Sequence, residues 1–153
     1  MAAVAIKSAV GIIAPNMQSD PNVEHDVMAA VFRHIVARYI PRLAAPPKFL
    51  FLAVGEHGNP VDPPAKLLDK LKSEAIPVKP FRAAMIEAGK FVDRDSHAPS
   101  PVIQLSSIEW NGEQAIVPGK AFLTKDRVNY AAHKYVVALK DGKWTVFGQQ
   151  TGY

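Results

Sequence analysis

The chain has 153 residues, 48% of them hydrophobic and 21% charged, with no cysteine and a formal net charge of +4. That is the length of one ordinary domain with enough apolar side chain for a core, so wholesale disorder is excluded, and the lack of cysteine excludes disulfides, thiolate metal sites and thiol nucleophiles. The positive charge is scattered among acids, as at Lys66, Asp69, Lys70, Lys72 and Glu74, rather than gathered into a stripe, and no run approaches the ~20 apolar residues of a membrane span; neither a nucleic-acid nor a membrane partner is expected.

The segment Met1 to Ala14 holds one lysine, and only Ala9 to Ala14 is an unbroken small-apolar run. A secretory signal places its charge first and follows it with ~7–15 apolar residues, so the match is poor. Residues 1–19 therefore read as a short helix or arm preceding one domain over 20–153. A cytoplasmic location is expected, with export by an atypical signal as the alternative.

A long helix is predicted from Asp20 to Ile40. Asp20 can cap the free amides and Pro21 suits the first helical position. Val23, Val27, Met28, Val31, Phe32, Ile35, Val36, Tyr39 and Ile40 then share one stripe. Pro41 ends it. Lys48 to Val54 reads as a buried strand, followed by a loop over Gly55–Pro60. Asp62-Pro63-Pro64 predicts a second helix by the same cap-then-proline logic, with Leu67, Leu68, Leu71 and Ala75 buried and Pro77 as its stop.

The second half reads as strands. Phe81 to Glu87 turns at Ala88-Gly89-Lys90 into Phe91 and Val92. A polar loop follows from Asp93 to Pro101. In Val102 to Trp110 the apolar phase slips from odd positions (Ile103, Leu105) to even ones (Ile108, Trp110), which predicts a bulge at Ser106-Ser107. Asn111-Gly112 and Asp141-Gly142 are hairpin turns. A two-residue turn at Asp141-Gly142 pairs Leu139 with Trp144, Val137 with Val146 and Tyr135 with Gly148. Both faces of that hairpin are substantially apolar, so helices are expected on one face and something else, such as a second subunit, on part of the other. The fold class is α+β: a long and a short helix packed on a curved, meandering antiparallel sheet that leaves a cone-shaped cavity.

The segments Asp62–Leu68, Ile76–Pro80, Ile108–Trp110 and Gly142–Val146, within a span of roughly Asp20 to Gly148, resemble the NTF2-like or cystatin-like superfamily, close to uncharacterised small bacterial proteins of that fold. The resemblance implies a curved sheet wrapped around the N-terminal helix. It leaves function open, since that superfamily holds isomerases, epoxide hydrolases, dehydratases and many non-catalytic binding or dimerising domains. The loop at Gly55–Val61 is longer here, and Met1–Asn16 lies outside the likeness. No catalytic residue set carries over.

Tyr39, His133, Tyr135 and Trp144 are the candidate pocket residues: an apolar cavity with a few polar groups is the usual form of a small-molecule site. The competing reading makes them core aromatics with His133 at a wet sheet edge. Asp93, Asp95 and His97 have spacing that could hold a cation, but a solvated turn is preferred and no metal or cofactor is expected. Glu56-His57 reads as a plain loop, and His34 borders the helix stripe. The leading expectation is a non-enzymatic binding or dimerising domain, a homodimer through the sheet. The alternative is a small isomerase-like or hydrolase-like enzyme, or a carrier, for an apolar small molecule.

Overall fold

The computed structural model describes residues 20–56, 58–124 and 130–151; the N-terminal arm and His57 lie outside them. Helix α1 (Pro21–Tyr39) starts as its sequence dictates. The Asp20 carboxylate accepts from the Asn22 amide at 2.9 Å, and Pro21 occupies the first turn. A 3₁₀ turn at Ile40–Arg42, containing Pro41, ends it. His25 and Ala29 are buried together with the apolar stripe. No described helix is long and apolar enough to cross a membrane.

The chain then builds a parallel unit. Strand β1 (Leu50–Val54) leads through the Gly55 loop to α2 (Ala65–Lys70) and back to β2 (Val78–Pro80). β2 runs parallel to β1, with Leu50 opposite Val78. A helical crossover returns the chain to the same end of the sheet, so the two strands must point the same way. Asp62 does not cap α2. Pro64 is extended (φ −58°, ψ 146°) and sits at the cap position, which leaves Asp62 too far upstream. Its carboxylate instead accepts from the Arg82 amide and guanidinium, each at 2.8 Å.

A hairpin of β3 (Ala84–Glu87) and β4 (Lys90–Asp93) follows. Next come β5 (Val102–Leu105), β6 (Glu109–Asn111), β7 (Gln114–Phe122), β8 (Tyr130–Lys140) and β9 (Lys143–Gln150). The main sheet has seven strands in the order β2-β1-β5-β7-β8-β9, with β6 also on β7. It is curved, open and mostly antiparallel. The expected antiparallel meander is corrected at β1, which pairs in parallel with both of its neighbours, β2 and β5, with Phe51 opposite Val102 in the second pair.

The expected slip at Ser106 divides one strand into two. β5 and β6 both pair with β7, through Leu105↔Gly119 and Glu109↔Ile116. Four steps on one side match three on the other, so Ile103, Leu105, Ile108 and Trp110 all reach the same core. The first hairpin turn is displaced by one residue: Asn111 still pairs with Gln114, and Gly112 (φ 64°) leads the turn. The second has the expected Asp141-Gly142 turn and register as far as Val137↔Val146. There a bulge at Phe147 shifts the ladder, and Tyr135 faces Gln149 rather than Gly148.

Two cores flank the sheet. On the helix side Phe32, Ile35 and Tyr39 pack on Leu50, Leu52, Ile103, Leu105, Val117 and Tyr135. On the other side Phe51, Ala53, Val102 and Phe122 meet Phe91 and Ala84 of the β3–β4 hairpin. The second layer over β1, β5 and β7 is therefore the chain's own hairpin. Strands covered on both faces read as continuous apolar runs, as β1 does and as β5 does apart from Gln104.

Candidate functional site

Tyr39 and Tyr135 lie in the helix-side core, only 3% and 1% exposed. Tyr135 comes from the middle of β8, where the sheet meets α1. Its ring takes the edges of two imidazoles, His34 of α1 at 5.5 Å and His133 of β8 at 6.0 Å between ring centroids. His133 is half-buried, and its Nδ1 is buried with no hydrogen-bond partner. Burial alone pushes the Tyr39 hydroxyl above its ordinary value.

Trp144 stands apart from this trio. It sits at the start of β9, half-buried, with the Trp110 ring edge-on at 5.8 Å. It lines an open cleft of about 630 Å³ between β9 and the outer face of α1. The helix wall is Asp26, Ala30, Arg33 and His34; the strand wall runs from Gly142 to Val146. Of the four pocket candidates named from sequence, this cleft contains Trp144. His34 bridges the two groups, lining the cleft and touching Tyr135.

The charged and titratable groups on the helix wall of the cleft have partners. Asp26 takes the Lys70 ammonium at 2.7 Å. Arg33 donates to Glu74 at 2.9 Å and to the Lys70 carbonyl at 2.9 Å. Arg38 Nε donates to His34 Nε2 at 3.0 Å, which needs an unprotonated acceptor nitrogen. Burial, with Arg38 beside it, lowers the His34 pKa, so the ring is neutral near pH 7. Asp26, Ala30 and Arg33 escaped the sequence reading because they lie on the polar side of an amphipathic helix, which ordinarily faces only water. Their spacing of four and then three residues was the available signal.

The acidic loop after β4 does not bring its three candidate ligands together. Asp93 points inward, 1% exposed, and accepts from Lys79 at 2.8 Å and from the Ser96 amide and hydroxyl at 3.0 and 2.9 Å. His97 instead pairs with Glu87 at 2.7 Å. Among the described residues no group of three or more His, Cys, Asp or Glu is placed to hold a metal ion.

The Gly55 loop is tied to β5. Gln104 Nε2 donates to the Gly55 and Glu56 carbonyls at 3.1 and 2.9 Å, and Ser106 Oγ donates to the Gly55 carbonyl at 3.1 Å. Gly55 has φ +117°, and a Cβ there would lie 2.6 Å from the Asn59 carbonyl oxygen, so only glycine fits.

No family model, curated protein or solved structure matches this chain. Its function is therefore read from the arrangement of the site.

Proposed function

We propose that the chain is an interaction module that pairs with a second copy of itself along β9, closing the α1–β9 cleft of each copy with the other. One observation carries this reading. β9, eight residues long, ends the sheet, so among the described strands its outer edge has no neighbour. A long unpaired edge presents a row of free amides and carbonyls, the usual template for strand addition. The bulge beside it turns out Phe147, which is 52% exposed, and aromatic anchors of this kind dominate interface energies.

The helix beside that edge is self-complementary. Asp26 and Arg33 are seven residues apart with small Ala30 between them. About a two-fold axis near Ala30, antiparallel α1 helices set each Asp26 against the other copy's Arg33, as a second partner beside the Lys70 and Glu74 that each already has within its own chain. This is the isologous contact of a cyclic dimer. The dimerising members of the NTF2-like superfamily, which the sequence resembles, fit the same reading.

Size-exclusion chromatography with light scattering tests it. The expected mass is twice the 16.7 kDa of one chain, and Phe147→Asp is expected to reduce it to one chain with an unchanged far-ultraviolet spectrum. A monomer at high micromolar concentration, or a Phe147→Asp protein that stays dimeric through β9, rejects the proposal.

A second reading rests on Trp144. Its indole wall in a cleft of about 630 Å³ suits an apolar small molecule, since pockets of ~300–1,000 Å³ lined by aromatics are typical ligand sites. Quenching of tryptophan fluorescence by a hydrophobic dye such as ANS, lost in Trp144→Ala, supports it; dye binding unchanged in that variant removes it.

A further inference from the structure

A second polar corner lies away from the cleft. β1 and β5 are parallel, so their carboxyl ends, Val54 and Leu105, open on the same side. In sheets with parallel strands, ligands collect outside those ends. Three of the six buried polar residues in the described chain gather here: His25, Gln104 and Ser106.

Gln104 and Ser106 are spent on the Gly55 loop. His25 is not. It is 8% exposed, and its Nδ1 is buried without a hydrogen-bond partner. A buried polar atom without a partner is unfavourable, which marks a place where something else completes the structure.

His25 lines a pocket of about 230 Å³ at this corner. Its apolar walls are Met28, Val54 and Pro64, and its polar residues are Glu24, His25 and Ser107, with the Gly55 backbone. The Glu56 carboxylate accepts from the amide of Ser107, a lining residue, at 3.3 Å. No lysine or arginine lines the pocket, and Glu24 makes none of the ion pairs found among the described residues. The chemistry is thus a carboxylate and an imidazole over a short apolar floor. At roughly 30 Å³ per water-sized group, the space holds about seven or eight heavy atoms.

We propose that this corner binds a small primary amine: its ammonium donates to Glu24 and, once the His25 ring turns to bring its buried Nδ1 to the pocket, to that nitrogen, and its hydrocarbon body lies on Met28, Val54 and Pro64. A carboxylate of the same shape is repelled by Glu24 and Glu56. An alcohol lacks the charge-assisted bond, which is worth about tenfold in affinity.

Benzylamine is the probe, with benzyl alcohol and benzoate as shape-matched controls. Imidazole resonances of histidine-labelled protein are followed by NMR through each titration. Benzylamine is expected to shift the His25 signals saturably, about tenfold more tightly than benzyl alcohol, with benzoate weakest. Glu24→Gln, an exchange of one polar atom on a half-buried side chain, is expected to lose that tenfold preference while the helix signal is retained. His25→Phe, which fills the imidazole site with an apolar ring, is expected to lose amine binding. The proposal is overturned if benzylamine gives no saturable shift at His25, if benzoate binds as tightly, or if Glu24→Gln keeps full selectivity. Dimerisation through β9 is a separate measurement, so either idea can fail alone.

Discussion

Asp93 shows how a single side chain can be half legible in a sequence. Its position before Arg94-Asp95-Ser96 marks a turn, and the Ser96 amide and hydroxyl do bind its carboxylate. The sequence does not show the other half. Lys79, fourteen residues upstream, lies over the Phe49 ring at 3.9 Å and donates to Asp93 at 2.8 Å. That contact needs the β3–β4 hairpin folded back on the sheet, a long-range fact that no local pattern encodes. The Lys79 hydrogen bond is the main cause holding the Asp93 carboxyl down at about 2, against the usual 3.8, with Ser96 adding to it. A depressed carboxylate contributes its stability in full above the unfolded-state value and loses it as pH falls towards the folded-state value. Thermal melts should therefore show stability falling between pH 4 and pH 2. Asp93→Asn should be destabilised at pH 7, with a flatter slope in that window. A variant whose melting curve parallels the parent's from pH 7 to pH 2 would show that the pair contributes nothing.

At the scale of elements, legibility followed the strength of local rules. The Asp20 cap and Pro41 stop bounded α1 because both act within one turn. The Asp141-Gly142 turn set the β8–β9 register for four pairs, and then the bulge at Phe147 broke the count. Bulges respond to sheet curvature, and two-residue alternation carries no mark of where curvature must be relieved. The approach of α1 to the sheet was equally hidden, although a glycine signals it. A Cβ at Gly119 of β7 would lie 2.9 Å from Ile35 Cδ1 of α1 and 3.2 Å from Leu105 Cδ2. Both neighbours are fully buried, so neither has room to turn away. Gly119→Ala should cost about 1–2 kcal/mol in urea unfolding, overpacking outweighing the gain in chain stiffness. Ile35→Val removes the methyl it strikes. The double variant should lose less than the sum of the two singles. Strict additivity would mean that helix and strand do not meet at Gly119.

For the whole molecule, the central fact is that at β1, β5 and β7 the sheet is covered on both sides by one chain. The apolar second face was legible in β8 and β9, and it pointed to some covering layer. The identity of the layer over β1 and β5 was not, because Phe91 and Val92 look like any short strand until they are seen against Phe51 and Phe122. The Phe91 ring lies 5.3 Å from that of Phe122, edge-on, and its amide donates to the Leu123 carbonyl at 2.8 Å. β1 sends Leu50 and Leu52 into the helix-side core and Phe51 and Ala53 into the hairpin-side core. Neither core can loosen without moving the strand that serves both. The two should therefore unfold as one cooperative unit. Phe91→Ala empties the hairpin side and is expected to cost about 3–5 kcal/mol. Both tryptophans, Trp110 and Trp144, pack on the opposite, helix-side core, so their fluorescence reports the face that was not mutated. If the cores are coupled, the fluorescence midpoint falls together with the far-ultraviolet signal. If fluorescence keeps the parent midpoint while the far-ultraviolet signal melts early, the hairpin is a separate lid and the strands do not transmit between the two faces.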